Sequence, residues 1–165
     1  MCNLKQNICK MENLKTFQKI LIAVDDSKYS YLAASYGFDL AVRLGAKVGL
    51  VHINEMPVAI NITGDPLLGD TGMILPELIA IQNQKAHELF EKLKNDFDRE
   101  IVSQEFIVDG NISHEIVKVA QDFNASLIVM GTHGRTGFDH FISGSVAESV
   151  TRHASCPVLI VPNKD

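Results

Sequence analysis

Between positions 131 and 145 the chain reads Gly-Thr-His-Gly-Arg-Thr-Gly-Phe-Asp-His-Phe-Ile-Ser-Gly-Ser. Glycines at 131 and 134 allow a tight turn and a close approach of backbone to ligand, with no Cβ in the way. Gly144 and Ser145 open an apolar-periodic segment that reads as a helix, and the first N–H groups of a helix have no internal partners and attract anions. A phosphate chain lying between Gly134 and Gly144 would meet several N–H donors and the Ser145 hydroxyl. Arg135 would add a charge-assisted contact. Two plainer readings stand beside this one. Gly134 and Gly137 also suit ordinary turns, and Ser145 with Glu148 fits the capping box S-x-x-E. The segment is neither a P-loop, which needs G-x-x-x-x-G-K-[ST], nor the G-x-G-x-x-G dinucleotide loop that follows a first strand.

The other chemistry-bearing residues form weaker patterns. Asp25 and Asp26 follow an apolar run and suggest an acidic pocket; Asp26 alone reads as an exposed turn residue near a helix start. The six histidines show no i, i+4 pair and no zinc spacing with cysteine. His52 alternates with Val51 in an apolar run and reads as a hydrogen-bonded core histidine, while His133 and His140 read as solvated loop residues. Cys2, Cys9 and Cys156 make no C-x-x-C pair and no disulfide framework, and Cys156 reads as a small buried residue. No G-x-S-x-G nucleophile elbow is present, nor a water-positioning Gln or Arg of the NTPase kind.

The elements that would hold these residues follow from patterning. FQKILIAV (17–24), AKVGLVHI (46–53), the 104–108 part of IVSQEFIVDG, SLIVMG (126–131) and PVLIVP (157–162) are short apolar runs of the kind buried parallel strands show. Between them lie helical patterns: 28–44, with Ser27 as N-cap, Gly45 as C-terminal glycine and Leu32, Tyr36, Leu40 and Leu44 as its buried stripe; 77–100, with Ala86, Leu89, Phe90, Leu93 and Phe97 on one face; 111–124, with Ile112, Ile116, Val119, Ala120 and Phe123 inward; and 144–155. The stretch 54–76 holds Pro57, Gly64, Pro66, Gly69, Gly72 and Pro76 and reads as a long loop, a flap over a ligand or a packing surface. Alternating strands and helices predict an α/β, doubly wound, Rossmann-like sheet of five parallel strands covered on both faces. Ligands of such a sheet bind beyond the strands' carboxyl ends, where strand order reverses.

With Gly131, Gly134, Gly144 and Ser145 in the pattern G-x-x-G, nine residues, G-[ST], the chain resembles the ATP-binding members of the universal stress protein family. KILIAVDDS (19–27), LVHI (50–53), SLIVMGTHGRTG (126–137) and SVAESVTRHASCPVLIVP (145–162) extend the resemblance over roughly 17–162. It implies that Asp25 lies at the base and ribose end of ATP and that the Ile53 backbone meets the adenine. Met130 and Gly131 would border base and ribose, and Gly134, Gly144, Ser145 and Val146 would contact phosphates. It further implies ATP carrying Mg²⁺ or Mn²⁺, a regulatory role in stress survival with at most slow hydrolysis, and a homodimer through the last strand, Val158–Val161. That strand's apolar, unpaired edge points the same way. A different class also fits Asp25-Asp26: a phosphorylatable receiver domain, with Asp109 as acceptor on the third strand, although PVLIVP lacks the lysine such a domain needs.

Composition bounds these readings. The 165 residues are 46% hydrophobic and 21% charged, suited to one domain over 17–165 behind a loosely attached 1–16 extension. A net charge of −5 argues against nucleic-acid binding. No run of ~18 apolar residues suggests a membrane span, and MCNLKQNICKMENLK lacks a signal peptide's apolar core, so the expected location is the cytoplasm.

Overall fold

The computed structural model describes residues 17–55, 74–97, 100–132 and 145–162. Its elements are β1 (Lys19–Ala23), α1 (Lys28–Leu44), β2 (Lys47–Asn54), α2 (Ile74–Asp96), β3 (Val102–Asp109), α3 (Ile112–Phe123), β4 (Leu127–Gly131), α4 (Ser145–His153) and β5 (Val158–Val161). The strands form one sheet in the order β3-β2-β1-β4-β5, with every neighbouring pair parallel. The three middle strands carry the densest apolar runs and are buried on both faces. The outer strand β3 exposes Ser103, Gln104 and Glu105. The architecture is the one the alternation of patterns predicts.

Two cores result. On one face α1 and α2 cover Ile20, Ile22, Val48, Leu50, Leu127 and Val129. On the other, α3 and α4 cover Leu21, Val51, Ile53, Ile128 and Met130. Neighbouring residues of one strand serve opposite cores because side chains alternate across a strand. Each fully buried Ile or Leu contributes about 1.5–3 kcal/mol of apolar transfer. The helix ends close as their sequences suggest. The Ser27 hydroxyl accepts from the Ser30 N–H at 3.1 Å, and Gly45 takes the left-handed conformation at φ 64°. Asn111 and Asn124 cap α3 in the same two ways.

Three expectations need correction. The face that α1 turns to the sheet is Ser30, Ala33, Ala34, Gly37, Phe38 and Ala41. Tyr36 and Leu44 of the expected stripe are 56% and 48% exposed, and Leu32 and Leu40 are half-buried. The cause is distance. A Cβ on Gly37 would lie 2.6 Å from Ile22 Cδ1, so α1 sits too close to β1 for large side chains between them. Next, α2 begins at Ile74 rather than Glu77 and ends at Asp96. Pro76 lies in its first turn, where a missing N–H costs nothing. With Asn54 in β2, the expected loop 54–76 is shorter, and its positions 56–73 lie outside the described residues. Finally, Cys156 is half-buried against the α3/α4 core rather than buried, and desolvation pushes its thiol above the ordinary range.

Candidate functional site

The chain builds outward from β1 to β2 and β3, then crosses back to place β4 and β5 on β1's other side. Strand order therefore reverses between β1 and β4, and the crevice at their carboxyl ends is where such sheets bind ligands. Ile22 is in register with both Leu50 and Val129. Three residues further along each segment come Asp25, Ile53 and Thr132, all at that edge.

Asp25 is fixed by its turn. Its Oδ1 accepts from the Ser27 N–H at 3.0 Å, and its own N–H donates to the buried Ser30 hydroxyl at 2.8 Å. Asp26 is exposed, as expected. Ile53, Met130 and Val146 belong to the same core under α3 and α4, Val146 at its margin. Gly131 pairs with Val161 at the end of β4. Helix α4 begins at Ser145 and leads into a parallel strand, so its N-terminus opens onto the same edge. Of the sequence candidates, Asp25, Ile53, Met130, Gly131 and Val146, with the Ser145 backbone, thus converge. Gly134, Arg135 and Gly144, like His133 and His140, lie outside the described residues.

Sequence reading missed a cavity of about 640 Å³ at this edge, lined by Glu55, Gly110, Asn111, Ile112, Ser113, Val146 and Ser149. It lies between the N-terminal turns of α3 and α4, so oriented N–H groups face it from two helices. Its turn depends on Gly110, whose φ of 147° suits only glycine and whose missing side chain leaves room for Glu115, 3.1 Å from where a Cβ would stand. His114 beside Glu115 holds that carboxyl below the usual range, and Lys118 acts in the same direction. The Asp-Gly-Asn step at 109–111 was the available signal.

His52 is the bonded core histidine its position suggests, with Nδ1 2.8 Å from the Val24 carbonyl oxygen. The receiver reading fails on topology. A receiver-type order, 2-1-3-4-5, sets the third strand beside the first. Here β2 intervenes, placing Asp109 two strand spacings of about 4.8 Å each from β1. The Asp109 carboxylate instead accepts from Asn54. Among the described residues no three His, Cys, Asp or Glu side chains gather as a metal site.

A parallel five-stranded α/β sheet with its crevice between the first and fourth strands defines the class. Residues 16–162 match the family model for the universal stress protein family, and the chain belongs to that family. It is 31% identical to universal stress protein MJ0531 of Methanocaldococcus jannaschii, over 93% of this chain and 87% of that one. It is 30% identical to universal stress protein YxiE of Bacillus subtilis, over 88% and 99%. Among solved structures it resembles hypothetical protein MJ0577 of M. jannaschii at a TM-score of 0.72 and 27% identity, covering 91% of this chain and 99% of that one. A universal stress protein solved in complex with cAMP shares the fold at a TM-score of 0.61 and 21% identity, over 90% and 98%.

Proposed function

We propose that this universal stress protein binds ATP at the β1/β4 crevice and acts as a nucleotide-dependent regulator in the cytoplasm. The observation that carries this reading is the convergence of Ile53, Met130 and Val146 on one edge, beside an open cavity and under the N-terminus of α4. The apolar trio suits a base, and Asp25 stands at the ribose end. The helix N-terminus, with Gly134, Arg135, Gly144 and Ser145, suits the triphosphate. The Glu55 carboxylate on the cavity wall disfavours phosphate there and favours the uncharged end of the nucleotide. That a universal stress protein of this fold was solved in complex with cAMP supports a nucleotide as the class of ligand. Mg²⁺ or Mn²⁺ would arrive on the phosphates, neutralising charge and permitting at most slow hydrolysis. Equilibrium titration with a fluorescent ATP analogue and Mg²⁺ is expected to saturate well below millimolar. Folded protein that shows no saturation by about 1 mM, a standard free energy of only about −4 kcal/mol, would sink the reading.

The protein acts as a homodimer through β5 on the same proposal. Among the described residues, the edge of β5 away from β4 has no strand beside it, and Leu159 there is 37% exposed. The ring of Phe97 lies 5.0 Å from that of Phe38 and 5.3 Å from that of Tyr31, which marks the flank of α1 that meets α2. At about 100° per residue, Leu32, Tyr36 and Leu40 fall on the opposite flank, toward β5. Edge and flank together offer an apolar strip that a second copy would cover about a two-fold axis. Sedimentation is expected to show a dimer for the full chain and a monomer for the Val158→Lys, Ile160→Lys variant. A monomeric parent refutes the dimer, and a dimeric variant moves the interface away from β5.

A further inference from the structure

We infer that His52 and Asn54, alternate buried side chains of β2, are positioning residues for the nucleotide site, an inference that rests on the ATP reading above. They stand on either side of Ile53, and both turn to the face opposite the site. His52 is 5% exposed and Asn54 4%, in a layer whose other buried side chains, Ser30 apart, are apolar. Polar groups so buried persist only when bonded, and each bond made here ends on backbone or on an element next to the site.

The Val24 carbonyl can only accept, so His52 Nδ1 carries the proton and donates to it at 2.8 Å. The Val24 N–H donates to the Val51 carbonyl at 2.9 Å. Both polar groups of Val24, the residue that delivers Asp25, are therefore tied to β2 after β1 has ended. Asn54 Nδ2 donates one hydrogen to Asn83 Oδ1 of α2 at 2.8 Å and the other to Asp109 Oδ1 of β3 at 3.0 Å. The Asn54 carbonyl accepts from the Gly110 N–H at 3.0 Å, which joins β2 to the cavity turn. The backbone of Ile53 is thus held from α2 and β3, and that of Asp25 from β2.

Two pairs of variants test this by affinity for a fluorescent ATP analogue, measured far below each variant's melting temperature. His52→Leu removes the donor and keeps the bulk; His52→Asn returns an amide N–H to the Nδ1 position. Asn83→Ala with Asp109→Ala removes both acceptors of Asn54 from positions outside the core, so folding is retained even where His52→Leu does not fold. Asp109→Asn alone keeps its acceptor. His52→Leu and the double alanine variant are expected to bind about 10-fold more weakly, as loss of a buried bond implies. The two conservative variants are expected to stay within about 3-fold of the parent. In the ligand-free protein, amide exchange at Asp25 and Ser27 should quicken in His52→Leu, and at Ile53 and Glu55 in the double variant. Parent-like affinity and exchange in both disruptive variants, or equal losses in the conservative ones, would overturn the positioning role while nucleotide binding by the parent stands. A parent that binds no nucleotide would overturn the ATP reading and this inference with it.

Discussion

The Gly144→Val variant is expected to bind an ATP analogue about 100-fold more weakly than the parent while melting at nearly the same temperature. On the proposed reading, phosphate lies against backbone N–H groups at the start of α4, and a branched side chain one residue before Ser145 stands between them and the phosphate. Losing two charge-assisted hydrogen bonds of about 1.5 kcal/mol each gives about 3 kcal/mol, or about 100-fold in affinity. The parent's melting temperature should be kept because the apolar contacts of α4 are made by Ala147 and Val150, further along the helix. Parent-like affinity in this variant would make the glycine motif a structural turn and move the phosphates elsewhere.

Gly37→Val should act on stability instead. The new Cβ would stand 2.6 Å from Ile22 Cδ1 and 2.9 Å from Ile22 Cγ1, with Val129 Cγ1 at 3.5 Å. Ile22 is wholly buried in the central strand and has no room to yield. Valine is a better helix residue than glycine by a few tenths of a kcal/mol, far less than the roughly 3 kcal/mol that overpacking of this size costs. For a domain of this length that is a fall of about 10 °C in melting temperature, measurable by circular dichroism. A variant that melts with the parent would mean that α1 does not ride this closely on the sheet.

The contrast between these positions shows which features are legible in the sequence. Strand runs such as KILIA and VLIV, the Ser27 and Gly45 caps and the inward face of α3 are local properties, and they read directly. The buried face of α1 did not, because helical spacing of large apolar residues pointed to Leu32, Tyr36 and Leu40. The sheet selected Ala33, Gly37 and Ala41, whose smallness permits the approach. Pro76 reads as a breaker yet sits in the first turn of α2. The edge gathering Asp25, Ile53, Met130, Gly131 and Val146 followed from topology and family resemblance. The cavity beside it did not, since Gly110 and Ser149 belong to separate helix starts that only tertiary packing brings together. Strand order, which removed the receiver reading, is not encoded in any local window.

The seam between β1 and β4 also governs when a fully paired sheet first exists during synthesis. Lys19 donates its backbone N–H to the Ser126 hydroxyl, a contact between residues 107 positions apart. A ribosome that has released only β1, β2 and β3 has made a three-stranded sheet whose inner edge, β1, is apolar from Ile20 to Ala23 and unpaired. Such an edge recruits foreign strands. Every nascent chain passes through that interval, and it ends only when β4 emerges and takes its place beside β1. Truncation before residue 127 would therefore leave an aggregation-prone fragment.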